Sequence, residues 1–202
     1  IDPGHGGKDA GCISRDGKAK EKDIVLDIGK RLRDKLKAEM AGIRVIMTRS
    51  DDRFIELQER AAIANRNNAG LFISIHVNAV DTKKNRNWKT VKGFSIHTLG
   101  QSRTGRDLYS LNMDLCKREN SVILLEDDYS AKYQGFDPND TESYIFFNLL
   151  QNANLNQSLH FAEETDRQLK AGGPFSSSRG IHQDPFLVLW KTTMPAVLVE
   201  CG

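Results

Sequence analysis

A histidine between glycines is the first place in this chain where chemistry could happen. Ile1-Asp2-Pro3-Gly4-His5-Gly6-Gly7 puts an imidazole on a tight loop whose small neighbours let a ligand or metal come close. Three later residues give it company: Glu21, His76 in Ser74-Ile75-His76-Val77-Asn78, and Glu200 in Val197-Leu198-Val199-Glu200. Two imidazoles and a carboxylate, with a second carboxylate to spare, are the parts of a hydrolytic Zn2+ site. Three protein ligands leave a fourth position for water, the metal polarises a carbonyl and acidifies that water, and a free carboxylate moves the proton. His5, Glu21 and His76 read as ligands. Glu200 reads as the acid/base, because a carboxylate ending an apolar strand is desolvated and its pKa rises. Singly, each residue has an ordinary structural reading: a turn cap, a hydrogen-bonded strand-end histidine, a first-turn helix acid, an arginine partner. The set of four carries the argument.

The elements that must position these residues alternate. Glu21 to about Met40 predicts an amphipathic helix, with Ile24, Ile28, Leu32 and Leu36 as its stripe and Val25 widening it. Ile43–Met47 predicts a short strand, and Ile55 to about Asn67 a helix facing Leu57, Ala61 and Ala64 inward. Leu71–Ile75 and Gly93–Leu99 predict strands, and Pro185–Trp190 and Ala196–Glu200 are short apolar runs near the end. This is the α/β signature: one domain built on a twisted, mostly parallel sheet flanked by helices, with a helical and loop insertion. His5, His76 and Glu200 fall at strand ends, and ligands of such sheets collect outside the carboxyl ends of the strands.

The insertion spans about 101–160. It holds nine acidic residues against five basic ones in a chain of net charge +2. Leu108–Cys116 and Ser143 to about Leu169 read as helical, and Tyr129–Thr141 as a loop.

Composition excludes several classes. A 202-residue chain with 39% hydrophobic and 28% charged residues is an ordinary globular domain. Its small net charge argues against a nucleic-acid partner, and no apolar run is long enough for a transmembrane segment. Three widely spaced cysteines, Cys12, Cys116 and Cys201, make neither a disulfide framework nor a cysteine zinc site. His97 reads as a packed or surface residue, His160 as helical and His182 as a loop residue. The Gly4–Gly7 loop is not a dinucleotide fingerprint, since Asp9 stands where that motif needs its last glycine. The chain opens inside an expected strand and closes after Cys201-Gly202, so it reads as a segment trimmed at both ends.

Asp2-Pro3-Gly4-His5-Gly6-Gly7-Lys8-Asp9, Glu21-Lys22-Asp23, Thr48-Arg49, Glu59-Arg60-Ala61 through Ala64-Asn65, Ser74-Ile75-His76-Val77-Asn78 and Pro195-Ala196-Val197-Leu198-Val199-Glu200 occur in that order. Together they resemble the zinc-dependent N-acetylmuramoyl-L-alanine amidases of bacterial cell walls. The resemblance implies Zn2+ on the residues matching His5, Glu21 and His76, with Glu200 as acid/base. It implies hydrolysis of the amide between the lactyl group of N-acetylmuramic acid and L-alanine in peptidoglycan, in cell-wall remodelling or daughter-cell separation. Asn78 is a candidate substrate contact. The chain departs from the family in Cys201, where a small aliphatic residue is usual, and in stopping where the family continues into a glycine-aromatic stretch and a helix.

Lys117-Arg118-Glu119-Asn120-Ser121 resembles the start of a regulatory insertion found in some members, in which a helix covers the cleft until a partner withdraws it. Glu119 and Glu126 are the regulatory candidates, Glu126 as an acid able to take the open metal position. The same region also reads as a substrate-groove wall. The resemblance further implies a monomer located outside the cytoplasmic membrane, in periplasm or cell wall, with peptidoglycan and an activator protein as partners. A zinc peptidase on another wall peptide and a non-catalytic wall-binding module remain the alternatives.

Overall fold

The computed structural model describes residues 1–79, 91–100, 106–144, 153–172 and 177–202, with 106–111 as backbone only. In chain order the elements are β1 (Asp2–Pro3), α1 (Glu21–Glu39), α2 (Leu57–Arg66), β2 (Phe72–His76), β3 (Phe94–Leu99) and α3 (Arg106–Asn120). A 3₁₀ turn over Ser121–Leu125 follows, then α4 (Tyr129–Lys132), α5 (Leu155–Ala171), β4 (Ser178–Asp184), α6 (Leu187–Trp190) and β5 (Ala196–Glu200). The strands form one sheet in the order β1-β2-β5-β3-β4. Every neighbour pair is parallel except β3 with β5. The carboxyl ends of β1, β2 and β5 therefore share one edge. The α/β architecture read from the alternation is the one observed.

Two apolar clusters hold the layers together. One joins Phe72 and Leu198 of the sheet to Leu57 and Ala64 of α2, to Phe186–Leu189, and to Cys116 and Ile123. The other packs Ala162 of α5 on Phe94, Ile96 and Val197. Helix α1 lies so close to β1 that a Cβ at Gly29 would stand 2.9 Å from Pro3 Cγ. That contact centres the buried face on Val25 and Gly29: of the expected stripe Val25 is buried, Ile28, Leu32 and Leu36 are half-buried, and Ile24 alone is exposed, at 40%.

Other expectations need correction. Ile43–Met47 is not a strand. It runs extended past Ile1, whose amino group donates to Ile46 O (2.7 Å) and whose carbonyl accepts from Thr48 N (3.0 Å), but β1 is too short to offer a ladder. Leu187–Trp190 is helical, and Tyr129–Lys132 forms a helical turn inside the expected loop. His182, expected in a loop, lies in β4. The expected helix from Ser143 begins at Leu155 among the described residues, and residues 145–152 fall outside them.

Beneath the site sits a buried ion pair. Asp2 and Arg60 meet at 2.9 Å, 0% and 1% exposed. Thr48 and Ser74 hydroxyls also donate to Asp2, at 2.6 and 2.8 Å. Burial alone would raise the Asp2 pKa, but Arg60 and the two hydroxyls outweigh it and hold the carboxyl below its ordinary range. Arg60→Leu would strand the carboxylate, and truncating one partner of such a pair costs about 3–5 kcal/mol. A urea midpoint lowered accordingly at neutral pH is expected. Because the folded pKa is the depressed one, the pair's contribution is full above the ordinary carboxylate range and fades as pH falls through the folded value. The gap between variant and parent should close in acid. A gap unchanged with pH would show that the lost stability is packing, not charge.

Candidate functional site

Four residues far apart in sequence come together where β1, β2 and β5 end. His5 lies two residues past β1, His76 and Glu200 end β2 and β5, and Glu21 opens α1. His5 adopts φ +59°, a left-handed conformation that few non-glycine residues take, histidine more often than most, and that collects at functional sites. Two buried arginines hold its loop. Arg49 donates to the carbonyls of Pro3 (3.0 Å) and Gly4 (2.7 Å), and Arg60 to those of Pro3 (2.9 Å) and His5 (2.8 Å). The glycines are needed for room: a Cβ on Gly4 would stand 2.5 Å from the His76 ring, and one on Gly11 2.7 Å from His5.

Each inward atom is oriented from behind. His5 Nδ1 pairs with Asp9 Oδ2 at 2.7 Å, and Asp9 is fixed by the Gly11 amide at 3.0 Å. An Nδ1–H donated to Asp9 leaves Nε2 as the lone-pair atom, the usual outer support of a ligating histidine. Glu21 accepts the Val77 amide on Oε1 (2.8 Å) and the Cys12 amide on Oε2 (2.9 Å), turning Oε1 toward both imidazoles.

A fifth residue, Glu119 at the end of α3, closes the cluster. Its Oε2 lies 3.3 Å from His5 Nε2 and 3.2 Å from His76 Nδ1, while Glu21 Oε1 lies 3.1 and 3.4 Å from the same atoms. His5 Nε2, His76 Nδ1 and Glu119 Oε2 are buried with no hydrogen-bond partner, a state that side chains rarely keep without a ligand. These separations fit a metal. A tetrahedral zinc with ligands about 2.0–2.1 Å away has ligand–ligand edges of about 3.3–3.4 Å. Imidazole with carboxylate is also a donor set that suits zinc. Among the described residues, His5, His76 and Glu119 form the group able to hold an ion, with Glu21 Oε1 beside it.

Charge is balanced inside the cluster. Burial would lower the His5 pKa, but Asp9 and Glu21 outweigh it and raise it to about 9. His76 is raised by Glu119 and Glu21 against full burial. Glu21 and Glu119 are held below the carboxylate range by the two imidazoles, again against burial. Glu200 is different. It is 0% exposed and neither oxygen has a hydrogen-bond partner. Burial pushes its carboxyl up to about 8, with Glu119 and Glu21 adding to the rise and His76 and Arg118 opposing it.

Of the remaining candidates, Asn78 is half-buried two residues past β2 and lies outside the donor group. Glu126 does not reach the metal position. The 3₁₀ turn carries it to the start of α2, where it accepts the Leu57 amide (2.9 Å) and the Tyr133 hydroxyl (3.0 and 3.1 Å). A helix N-terminus with unpaired amides is a natural seat for a carboxylate. Glu119 Oε2 stands among the imidazole nitrogens instead, and Arg118 Nε donates to its other oxygen at 3.0 Å. The space left beside the cluster is about 10 Å³, roughly that of one water.

The family model for N-acetylmuramoyl-L-alanine amidase matches residues 1–202. The N-acetylmuramoyl-L-alanine amidase AmiA of Escherichia coli strain K12 is 33% identical over 200 residues, covering 99% of this chain and 63% of AmiA, so the chain spans less than two thirds of that relative. An N-acetylmuramoyl-L-alanine amidase structure from Clostridium difficile 630 superposes with a TM-score of 0.65 at 27% identity, over 100% of this chain and 76% of the other. The amidase AmiC2 of Nostoc punctiforme gives 0.64 at 28% identity, over 98% and 75%.

Proposed function

This chain belongs to the N-acetylmuramoyl-L-alanine amidase family, and from that premise we propose that it is a zinc-dependent hydrolase of the amide joining the lactyl group of N-acetylmuramic acid to L-alanine in peptidoglycan. The observation that supports it most is the convergence of two unpartnered imidazole nitrogens with Glu21 beside a buried, unpaired Glu200. His5, His76 and Glu21 would hold the metal. Zinc, when bound, supplies a water acidified toward neutral pH and a Lewis-acid contact for the amide carbonyl. Glu200 accepts the proton of the attacking water and delivers it to the departing L-alanine nitrogen, a task suited to a carboxyl whose pKa lies near the working pH. The substrate places the chain outside the cytoplasmic membrane. No helix among the described residues is long and apolar enough to cross a membrane.

Within the 101–160 region, the described segment from Arg106 to Tyr144 acts as a gate on this catalytic domain, while α5 from Leu155 stays with the sheet it packs on. Glu119 occupies the position that water and substrate need, and the residual space cannot admit a muropeptide. The gate is fastened at several points: Glu126 on the Leu57 amide, Lys8 on the Leu125 carbonyl, and Lys132 on Glu56. A partner protein that withdraws this region would activate the enzyme, and the chain itself needs no second copy to complete the site.

Purified peptidoglycan digested with the zinc-loaded chain and analysed by mass spectrometry tests the reaction. Peptides with a free L-alanine amino group should appear, more abundantly with Glu119→Ala, and a chelator should abolish them. Glycan fragments in place of such peptides, or release insensitive to chelation, would defeat the reading.

A further inference from the structure

Beyond Glu200 the sheet continues into polar side chains that the reaction outlined above does not use. His76 pairs with Glu200 across β2–β5, and Glu200 pairs with Ser95 across β5–β3. Directly paired residues share a face, so the row runs from a ligand through the base to Ser95. At the next strand the register slips: Phe94 pairs with Ser178 and Ile96 with Ile181, leaving Arg179 and Gly180 opposite the single residue Ser95. Such a bulge re-aims a side chain, often next to an active site, and Gly180 supplies the left-handed backbone at φ +103°. Arg179 Nη2 donates to Ser95 Oγ at 3.1 Å.

Ser95 is itself held by a directed chain of bonds. Asp184 Oδ2 lies 2.6 Å from His97 Nδ1, and His97 Nε2 lies 3.0 Å from Ser95 Oγ. With Nδ1–H donated to Asp184, His97 Nε2 must accept the Ser95 hydroxyl proton, which leaves the Ser95 lone pairs to face Arg179. Aspartate, histidine and serine in this order also form a nucleophile relay. Here the Ser95 oxygen, in the same hydroxyl that faces His97, accepts from Arg179, so the hydroxyl is committed to holding that side chain. What the relay does is fix a guanidinium.

That guanidinium has little else to do. Its Nε is buried without a hydrogen-bond partner, and Glu200, the carboxylate nearest in the row, also has both oxygens unpaired. Were Arg179 there to hold Glu200, the two would be bonded. Burial lowers the Arg179 pKa and the charge of Glu200 opposes the fall, yet no hydrogen bond joins them, so the guanidinium keeps an unsatisfied N–H that a ligand oxygen could take. A planar fork with spare N–H groups matches a carboxylate. We propose that Arg179, held by Ser95, His97 and Asp184, is a substrate-binding residue for a carboxylate on the peptide side of the scissile amide. Neighbouring strands lie about 4.8 Å apart and an extended peptide advances about 3.3–3.6 Å per residue. Because the guanidinium is bonded to Ser95, one strand from Glu200, that single spacing puts the carboxylate on a residue one or two positions beyond the bond cut. This inference rests on the amidase reading of the site.

The test is calorimetric binding of two muropeptides, identical except for a carboxyl or a carboxamide at those positions. The receptor is the zinc-loaded chain carrying Glu119→Ala and Glu200→Gln, open and unable to turn over. At least tenfold tighter binding of the carboxyl form is expected. Arg179→Met should erase that preference while leaving carboxamide binding within about threefold, Arg179→Lys should restore part of it, and Ser95→Ala should weaken it. Equal binding of both forms by the parent, no binding of either, or an equal loss of both in Arg179→Met would overturn the proposal. If Arg179→Met does not fold, the parent's preference and its reduction in Arg179→Lys decide. Cleavage by the chain with Glu200 intact is measured separately. Carboxyl-selective binding without any cleavage would refute the amidase reading and leave the recognition role standing.

Discussion

Glu200→Gln is expected to lower the rate of stem-peptide release by about 10²–10⁴-fold, the range that a positioned acid/base contributes. Glu200 ends β5 in register with His76, so its carboxyl borders the donor cluster. It is fully buried, and among the described residues neither oxygen is hydrogen-bonded. A structural carboxylate would have acquired a partner, whereas this one is left free with its pKa pushed up to about 8 by burial. A group poised there can take a proton in one half of a turnover and return it in the other. Glutamine keeps the shape and removes that capacity. The loss should therefore fall on kcat, with zinc content and muropeptide binding unchanged, and the melting temperature should not drop, since no bond of the fold depends on this carboxylate. Peptide release measured by mass spectrometry, alongside bound zinc and Tm, distinguishes the outcomes. Retained activity would move the proton-transfer role elsewhere, and lost zinc would make Glu200 a ligand.

How much of this was legible beforehand differs from residue to residue for physical reasons. His5 and His76 stood out because small or apolar neighbours isolate them at strand ends. Glu21 and Glu200 stood out because each borders a periodic segment, and the α/β alternation already implied a shared edge. Glu119 carried no such sign in its neighbourhood. In Lys117-Arg118-Glu119 it looks like any charged helix surface, and only the path of α3 across the cleft makes it different from Glu126, seven residues on. Both acids drew notice through the family likeness, but which one meets the imidazoles depends on where the 3₁₀ turn sends the chain. Strand β4 is not legible in the sequence because Ser-Arg-Gly-Ile-His-Gln-Asp lacks apolar alternation. Its place at the sheet edge leaves it half-buried, so it needs none. Arg179, Ser95 and Asp184 are hidden with it, since their relation to Glu200 exists only through strand pairing.

Glu119→Ala should raise basal peptide release at least tenfold and retain zinc. This is the sharper test of the gate, because the competing view predicts the opposite sign. If Glu119 is a permanent ligand, its removal takes one donor from a closed structural site, and both metal and activity should fall. If it is a plug, three donors remain on His5, His76 and Glu21, the complement of a catalytic zinc site with one open position. The contacts favour the plug. Glu21 is held by two backbone amides of the sheet domain, while Glu119 is braced by Arg118, its own neighbour on the insertion. The first carboxylate is fixed by the fold; the second would leave the cluster only with its segment, which is tied to the sheet domain by Arg118 on the Ala79 carbonyl and Asn120 on Pro185 and Leu187. Substitution removes a charge-assisted contact whose loss shifts the closed–open balance, and each 1.4 kcal/mol of that shift is about tenfold in open population. The same arithmetic sizes the activator: moving a chain from 1% to 99% open takes about 5.5 kcal/mol of preferential binding. An activator should therefore stimulate the parent strongly and Glu119→Ala weakly. Stimulation equal in both would show that the partner acts on substrate delivery and leaves the gate untouched.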